Sequence, residues 1–194
     1  MFTGIISHLG RFATYRIGKE EMIIEAPEKI LGLDLGTSVS INGVCLSIIR
    51  KESNQVAFNL SEETLKKTTL GNCRRGDRLN LELPLTLSTP LSGHLVSGHI
   101  DRTEKVLRII AKKGGKQIGF SLSPEIRPFF IPKGSCAING ISLTVAALTT
   151  TSFDVEVIPI TLEETNLGDL KRGDHVNVES DMIGKYVYNW VSKK

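Results

Sequence analysis

Short stretches of alternating apolar and polar residues run through most of the chain. In Ile41-Asn42-Gly43-Val44-Cys45-Leu46-Ser47, Val44 and Leu46 fall on one face of an extended segment and Cys45 and Ser47 on the other. Asn-Gly between apolar runs predicts a tight turn, because both residues tolerate positive φ. The arrangement returns 97 residues later as Ile138-Asn139-Gly140-Ile141-Ser142-Leu143-Thr144. A small polar side chain thus occupies the same strand position twice, Cys45 and then Ser142.

The alternation predicts strands over 11–15, 21–25, 38–41, 44–50, 55–60 and 78–83, after an extended start at 3–7. Ser61 as N-cap, acids in the first turn and lysines in the last predict a short helix over 61–67. A connector with two prolines, 84–92, separates the halves. Strands are then predicted over 96–100, 105–110, 117–121, 135–138, 142–148, 153–157 and 175–180, with helical turns over 124–130 and 161–165. After Ser180 the period changes. Ile183, Tyr186, Val187, Trp190 and Val191 form the stripe of an amphipathic helix, flanked by Lys185, Asn189 and Lys193-Lys194. Such a helix must pack on its own barrels or in a symmetric bundle between subunits.

A second block shows that the chain is a duplication. Residues 68–82 align with 165–179 at eight identical positions out of fifteen. Thr3-Gly4-Ile5-Ile6 aligns with Ser97-Gly98-His99-Ile100. Two halves, each able to bury a small core, account for the 194 residues. Strands, tight turns and one helical turn per half point to a closed or sandwich-like β fold.

Composition narrows the function. A net charge of +3 is modest and scattered, which argues against a nucleic-acid surface. No apolar run is long enough for a membrane span, and the start lacks the pattern of a secretory signal. Three cysteines without Cys-x-x-Cys argue against a disulfide framework or a zinc site, and make the cytoplasm the expected compartment. Gly-x-Gly-x-x-Gly after a strand is absent, which disfavours a flavoprotein reductase.

Together, Met1-Phe2-Thr3-Gly4-Ile5, Asn42-Gly43-Val44-Cys45-Leu46, Gly93-His94-Leu95-Val96-Ser97-Gly98-His99-Ile100-Asp101, Gly140-Ile141-Ser142-Leu143-Thr144, the run from Pro159 to Leu167 and that from Asp181 to Tyr186 make the chain resemble the riboflavin synthase α-chain family over its length. The resemblance implies an all-β fold of two homologous six-stranded Greek-key barrels plus a C-terminal α-helix. It divides the chain at 1–94, 95–184 and 185–194, the last being an oligomerisation helix. It implies a homotrimer, no metal and no organic cofactor, with lumazine synthase as an associated protein. The implied reaction is dismutation of two molecules of 6,7-dimethyl-8-ribityllumazine at one site, between the first barrel of one subunit and the second of the next.

Two identical substrates in opposite roles require copies that differ at the reacting positions. Cys45 aligns with Ser142, Ile5 with His99 and Pro84 with Asp181, whereas Asn42 and Asn139, or Thr64 and Thr161, match. Cys73 aligns with Leu170 and Cys136 with Val39, so both read as apolar fillers. On the family pattern His99 is the acid or base near the donor lumazine, with Ser142 and Thr144 as hydrogen-bonding partners. Cys45 is proton donor or nucleophile on the acceptor side, and Ser38 assists. Asp181 joins the site or only caps the last helix. Phe2 and Lys133 contact ligand. Gly4-Ile5-Ile6, Cys45-Leu46-Ser47, Gly98-His99-Ile100 and Ser142-Leu143-Thr144 read the pyrimidine edge. The ribityl chains lie along Asn59-Leu60-Ser61-Glu62-Glu63-Thr64 and Ile158-Pro159-Ile160-Thr161-Leu162-Glu163. Which barrel holds the donor stays open, as does His94. Ser47 and Ile160 depart from the family's usual Thr and polar residue. The alternative is a non-catalytic lumazine- or flavin-binding protein of the same fold, which would lose the reacting residues from one half.

Overall fold

A computed structural model describes residues 1–192; the expected flanking residues Lys193 and Lys194 lie outside them. The first half consists of β1 (His8–Arg16), β2 (Glu21–Glu25), β3 (Ser38–Ile41), β4 (Val44–Glu52), β5 (Gln55–Asn59) and β6 (Arg78–Glu82). They close into an antiparallel barrel in the order β1-β2-β5-β4-β3-β6. The second half consists of β7 (Arg102–Lys112), β8 (Gly115–Ser121), β9 (Ser135–Ile138), β10 (Ile141–Leu148), β11 (Ser152–Val157) and β12 (His175–Ser180). They close in the equivalent order, starting from β7. Helices α1 (Glu28–Leu31) and α2 (Glu62–Lys67) belong to the first barrel, and α3 (Pro159–Glu164) to the second, before α4 (Met182–Val191) ends the chain.

The bends that allow closure are duplicated too. Register shifts occur at Phe12/Thr14 and Ile48/Arg50, and at their equivalents Val106/Arg108 and Val145/Ala147. An extra residue on one strand increases twist and turns a flat sheet into a barrel. Each barrel has its own apolar core, around Phe58 and Leu81 in the first and around Phe120 and Phe153 in the second. Along β4, Val44, Leu46 and Ile48 are buried while Ser47 is exposed, the alternation the sequence predicts.

The expected strand over 96–100 is corrected. That segment crosses to the other barrel, as does the N-terminal segment. The two crossing segments touch at one bridge, where Phe2 N–H donates to Val96 O (2.8 Å) and Val96 N–H to Phe2 O (3.1 Å). Each is held by a carboxylate. Thr3 N–H and Oγ1–H donate to Glu82 Oε1 at 2.6 and 2.7 Å, and Gly4 N–H to Oε2 at 3.0 Å. Ser97 N–H and Oγ–H donate to Glu179 Oε1 at 2.7 Å, and Gly98 N–H to Oε2 at 3.0 Å. No intra-barrel ladder remains for these residues, so local alternation misread them.

Buried asparagines join the barrels across the same pseudo-twofold. Asn80 Nδ2 donates to Asn139 O and Asn177 Nδ2 to Asn42 O, both at 2.9 Å. Asn166 N–H donates to Asn80 Oδ1 at 2.8 Å. The two Asn-Gly turns meet back to back, and a Cβ on Gly43 would lie 2.7 Å from Gly140 N.

Helix α4 begins at Met182 rather than 185, because Asp181 Oδ1 accepts from Ile183 N–H at 2.9 Å and caps it. It docks on its own barrel through Gly184, against Phe129 O, and Tyr188, edge-on to Phe129 at 5.5 Å. Its apolar stripe is left exposed, with Ile183 at 61% and Val187 at 58%. No helix among the described residues is long and apolar enough to cross a membrane.

Gly43 has a φ of 82° and backbone directly behind it. Gly43→Ala should therefore cost about 2–4 kcal/mol, from strain and forced separation of the barrels. Gly114→Ala, which meets nothing within 4 Å, should stay within about 0.5 kcal/mol. Urea unfolding of both variants checks this; equal midpoints would refute the close-packed interface.

Candidate active site

A cavity of about 720 Å³ opens on the first barrel, a size ordinary for small-molecule sites. Its wall includes Cys45, Leu46, Ser47, Asn59, Leu60, Ser61, Glu62 and Thr64, all expected to bind ligand. β4 supplies Cys45 and Ser47 from the side facing away from the barrel core, with the inward Leu46 between them. The loop entering α2 supplies the rest, with Ser61 Oγ accepting from Thr64 N–H at 3.1 Å. Ser38 pairs with Ser47 across β3 and β4. Glu63 is not in the wall; it pairs with Lys67 at 3.1 Å. Phe2 is also off the wall. It is fully buried with Val96 and Ala137, packed against Cys45.

A larger cavity, about 1020 Å³, lies between the barrels. It is bordered by charged turns around Arg74 and Lys171 and includes none of the expected site residues. At its rim Arg78 Nη1 meets Asp169 at 3.2 Å. The smaller cavity is the better candidate, because polar, nucleophilic and apolar groups converge there.

Each half-site is completed by the crossing segment of the other half. Cys45 N–H donates to Gly98 O at 2.9 Å, which lays Gly98-His99-Ile100 along the first barrel. Ser142 N–H donates to Gly4 O at 2.8 Å, which lays Gly4-Ile5-Ile6 along the second. Both glycines have positive φ, and a Cβ would strike Cys45 Cβ at 2.5 Å or Ser142 Cβ at 2.6 Å. Within one chain the exposed His99 accompanies Cys45, not Ser142 and Thr144. Ser142 Oγ is met instead by His94 Nδ1, at 2.7 Å.

The remaining positions on the second barrel repeat the plan. Leu143 is half-buried and Thr144 exposed on β10. Ile158 precedes α3, and Pro159, Ile160, Thr161, Leu162 and Glu163 lie within it; Ile158 and Ile160 are exposed. Lys133 has a φ of 66° where its counterpart Gly36 has 83°, and both N–H groups donate into the next strand. Asp181 caps α4, and its carboxylate also acts through space on His94.

The chain matches the family model described as the lumazine binding domain, at residues 3–84 and again at 97–181. Curated relatives match over the full chain. Riboflavin synthase of Actinobacillus pleuropneumoniae is 39% identical over 100% of this chain and 91% of that protein. That of Escherichia coli (strain K12) is 39% identical over 100% and 92%. The chain belongs to the riboflavin synthase family. Riboflavin synthase of Bacillus subtilis (strain 168) is 34% identical over 100% and 91%. Among solved structures, LumP complexed with riboflavin superposes with a TM-score of 0.85 at 24% identity, covering 93% of this chain and 99% of that one. LumP complexed with 6,7-dimethyl-8-(1'-D-ribityl) lumazine gives 0.83 at 23%, with the same coverage. At that identity the likeness establishes the fold.

Sequence reasoning for this riboflavin synthase family member left His94 unassigned. Its motif, Gly93-His94-Leu95, lies in the connector and has no counterpart in the first copy, so the repeat comparison was blind to it. Only the fold brings it to Ser142, 48 residues away. Burial holds its imidazole below the usual range, while the Asp181 and Glu179 carboxylates pull it upward.

The cysteines differ in reach. Burial pushes the Cys136 thiol up to about 12 and the Cys73 thiol up to about 11. Only Cys45 lines the 720 Å³ cavity. Iodoacetamide at pH 8 should modify Cys45 at least about tenfold faster than the other two, since thiolates are the reactive species. Peptide mass mapping of the native protein checks the order, and modification of Cys136 first would refute it.

Proposed function

We propose that the protein dismutates two molecules of 6,7-dimethyl-8-ribityllumazine into riboflavin and 5-amino-6-(D-ribitylamino)uracil, one substrate donating a four-carbon unit to the other. What carries the reading is the pair of half-sites, alike in scaffold and unlike in chemistry. Each has a β-strand edge, a glycine carbonyl from the opposite half and a helix-entry loop. They differ at Cys45 and Ser142, at His99 and Ile5, and at Lys133 and Gly36. Identical pockets would suit binding twice. Differentiated pockets suit one substrate as carbanion and the other as electrophile.

The donor loses a proton from its C7 methyl, and the ring delocalises the charge. The acceptor is attacked at C7, beside Cys45. Much of the acceleration then comes from holding two rings face to face, with proton transfers supplying the rest. Strand backbones at Leu46–Ser47 and Leu143–Thr144 read the pyrimidine edges. The entries of α2 and α3 hold the ribityl hydroxyls. No metal or organic cofactor enters this chemistry.

The two rings meet between the first barrel of one subunit and the second of its neighbour in a homotrimer. Support comes from α4, whose one face is spent on Phe129 while Ile183, Tyr186, Val187 and Val191 stay exposed. A ten-residue helix is marginal in water unless packed. A non-catalytic lumazine carrier is the other reading, and retention of reacting groups in both halves disfavours it.

Mixing the pure protein with 6,7-dimethyl-8-ribityllumazine alone should produce riboflavin absorbance, unchanged by EDTA. Stable lumazine binding without turnover would establish the carrier instead. Val187→Glu should leave both barrels folded, shift the sedimenting species to monomer and lower activity at least about tenfold, about 1.4 kcal/mol in barrier. A wild type that is monomeric and fully active would refute the shared site.

A further inference from the structure

His94 occupies a tightly specified polar position in the second half-site, and no role has been given to it. Its N–H donates to Thr3 O at 3.1 Å, so the crossing segment that hands Gly4 O to Ser142 also sets the histidine. Its Nδ1 lies 2.7 Å from Ser142 Oγ on β10. Its Nε2 is buried and meets no partner among the described residues. An unpaired buried nitrogen is destabilising, a cost that folding alone does not explain. On the first barrel, Cys45 stands where Ser142 stands, and among the described residues no histidine nitrogen is hydrogen-bonded to its Sγ. The imidazole is therefore part of what distinguishes the halves.

We propose that His94 is the positioning residue that receives the donor's proton, acting through the hydroxyl of Ser142. This rests on the dismutation reading and assigns the donor lumazine to the second barrel. The C7-methyl C–H bond breaks and its electron pair passes into the ring. The proton goes to Ser142 Oγ as the hydroxyl proton moves to His94 Nδ1. The histidine ends as imidazolium and Ser142 as a neutral hydroxyl, so charge and protons balance. Reversal of the transfer supplies the proton needed later in the cycle.

The surroundings suit that exchange. Burial keeps the ring neutral, with Nδ1 free to accept. The charged groups acting on it are Glu179 from β12 and Asp181 at the start of α4, both anionic, and they stabilise the imidazolium once formed. β10 and the crossing segment present Ser142 and Thr3, which carry no charge.

The test follows exchange of the C7-methyl protons of 6,7-dimethyl-8-ribityllumazine into deuterated water by NMR, together with turnover and lumazine affinity. Wild type, His94→Gln, Ser142→Ala and the double variant are compared. His94→Gln should bind lumazine within about threefold of wild type yet exchange at least about 100-fold more slowly, the usual contribution of an acid–base group. The double variant should be no slower than Ser142→Ala alone, because one relay is lost only once. Wild-type exchange should fall as pH drops below the ordinary imidazole value of 6.5, and folded Ser142→Ala should lack that limb. Multiplying losses in the double variant, exchange in His94→Gln within threefold of wild type, or an acid limb kept by Ser142→Ala would each overturn the relay. A wild type that neither exchanges nor makes riboflavin would overturn the dismutation reading itself. Should His94→Gln not fold, the pH profile of Ser142→Ala decides.

Discussion

Two carboxylates organise the molecule. Glu82 and Glu179 each take three hydrogen bonds from the turn of a segment of their own half that crosses to the other barrel. Hydrogen bonds to a charged group contribute about 1.5–3 kcal/mol each, and three of them offset part of the cost of burying the charge. Burial still wins at Glu82, whose carboxyl sits above the usual range despite its donors. Without this anchorage, Gly4 and Gly98 would have no reason to lie against Ser142 and Cys45. The half-sites would lose a wall, and the barrels would be left with the asparagine contacts, the packed Asn-Gly turns and the Arg78–Asp169 pair between them.

That arrangement leaves a duplicated fold with two half-sites that differ in their side chains. The scaffold positions are held equal by backbone requirements: the Asn-Gly turns, the strand bulges and the clamping glutamates. Side chains facing ligand are not so constrained, because they project from strand edges and loop entries where replacement costs little packing. Cys45 could therefore diverge from Ser142 and Gly36 from Lys133 without disturbing either core. His94 is the extreme case, an addition on one half only, delivered by the connector.

Much of this was legible in the chain. The alternation around Val44 and Ile141, the repeated Asn-Gly turns and the duplication of residues 68–82 in 165–179 determined two like β domains. They did so because side-chain direction in a strand and positive φ at a turn are local properties. The stripe at Ile183, Tyr186 and Val187 determined a helix for the same reason. The cavity residues Cys45, Leu46, Ser47 and Asn59 through Glu62 were legible once the family pattern was laid over them, since each sits at a strand edge or helix entry that the sequence marks. Residues 96–100 were misread, because they alternate like a strand but find their hydrogen-bond partners in the other barrel. The pairing of His99 with Cys45, of His94 with Ser142, and the burial of Phe2 between barrels were decided by tertiary structure alone. Each depends on where a crossing segment lands after both barrels have closed, and nothing within a few residues of His94 or His99 encodes that distance.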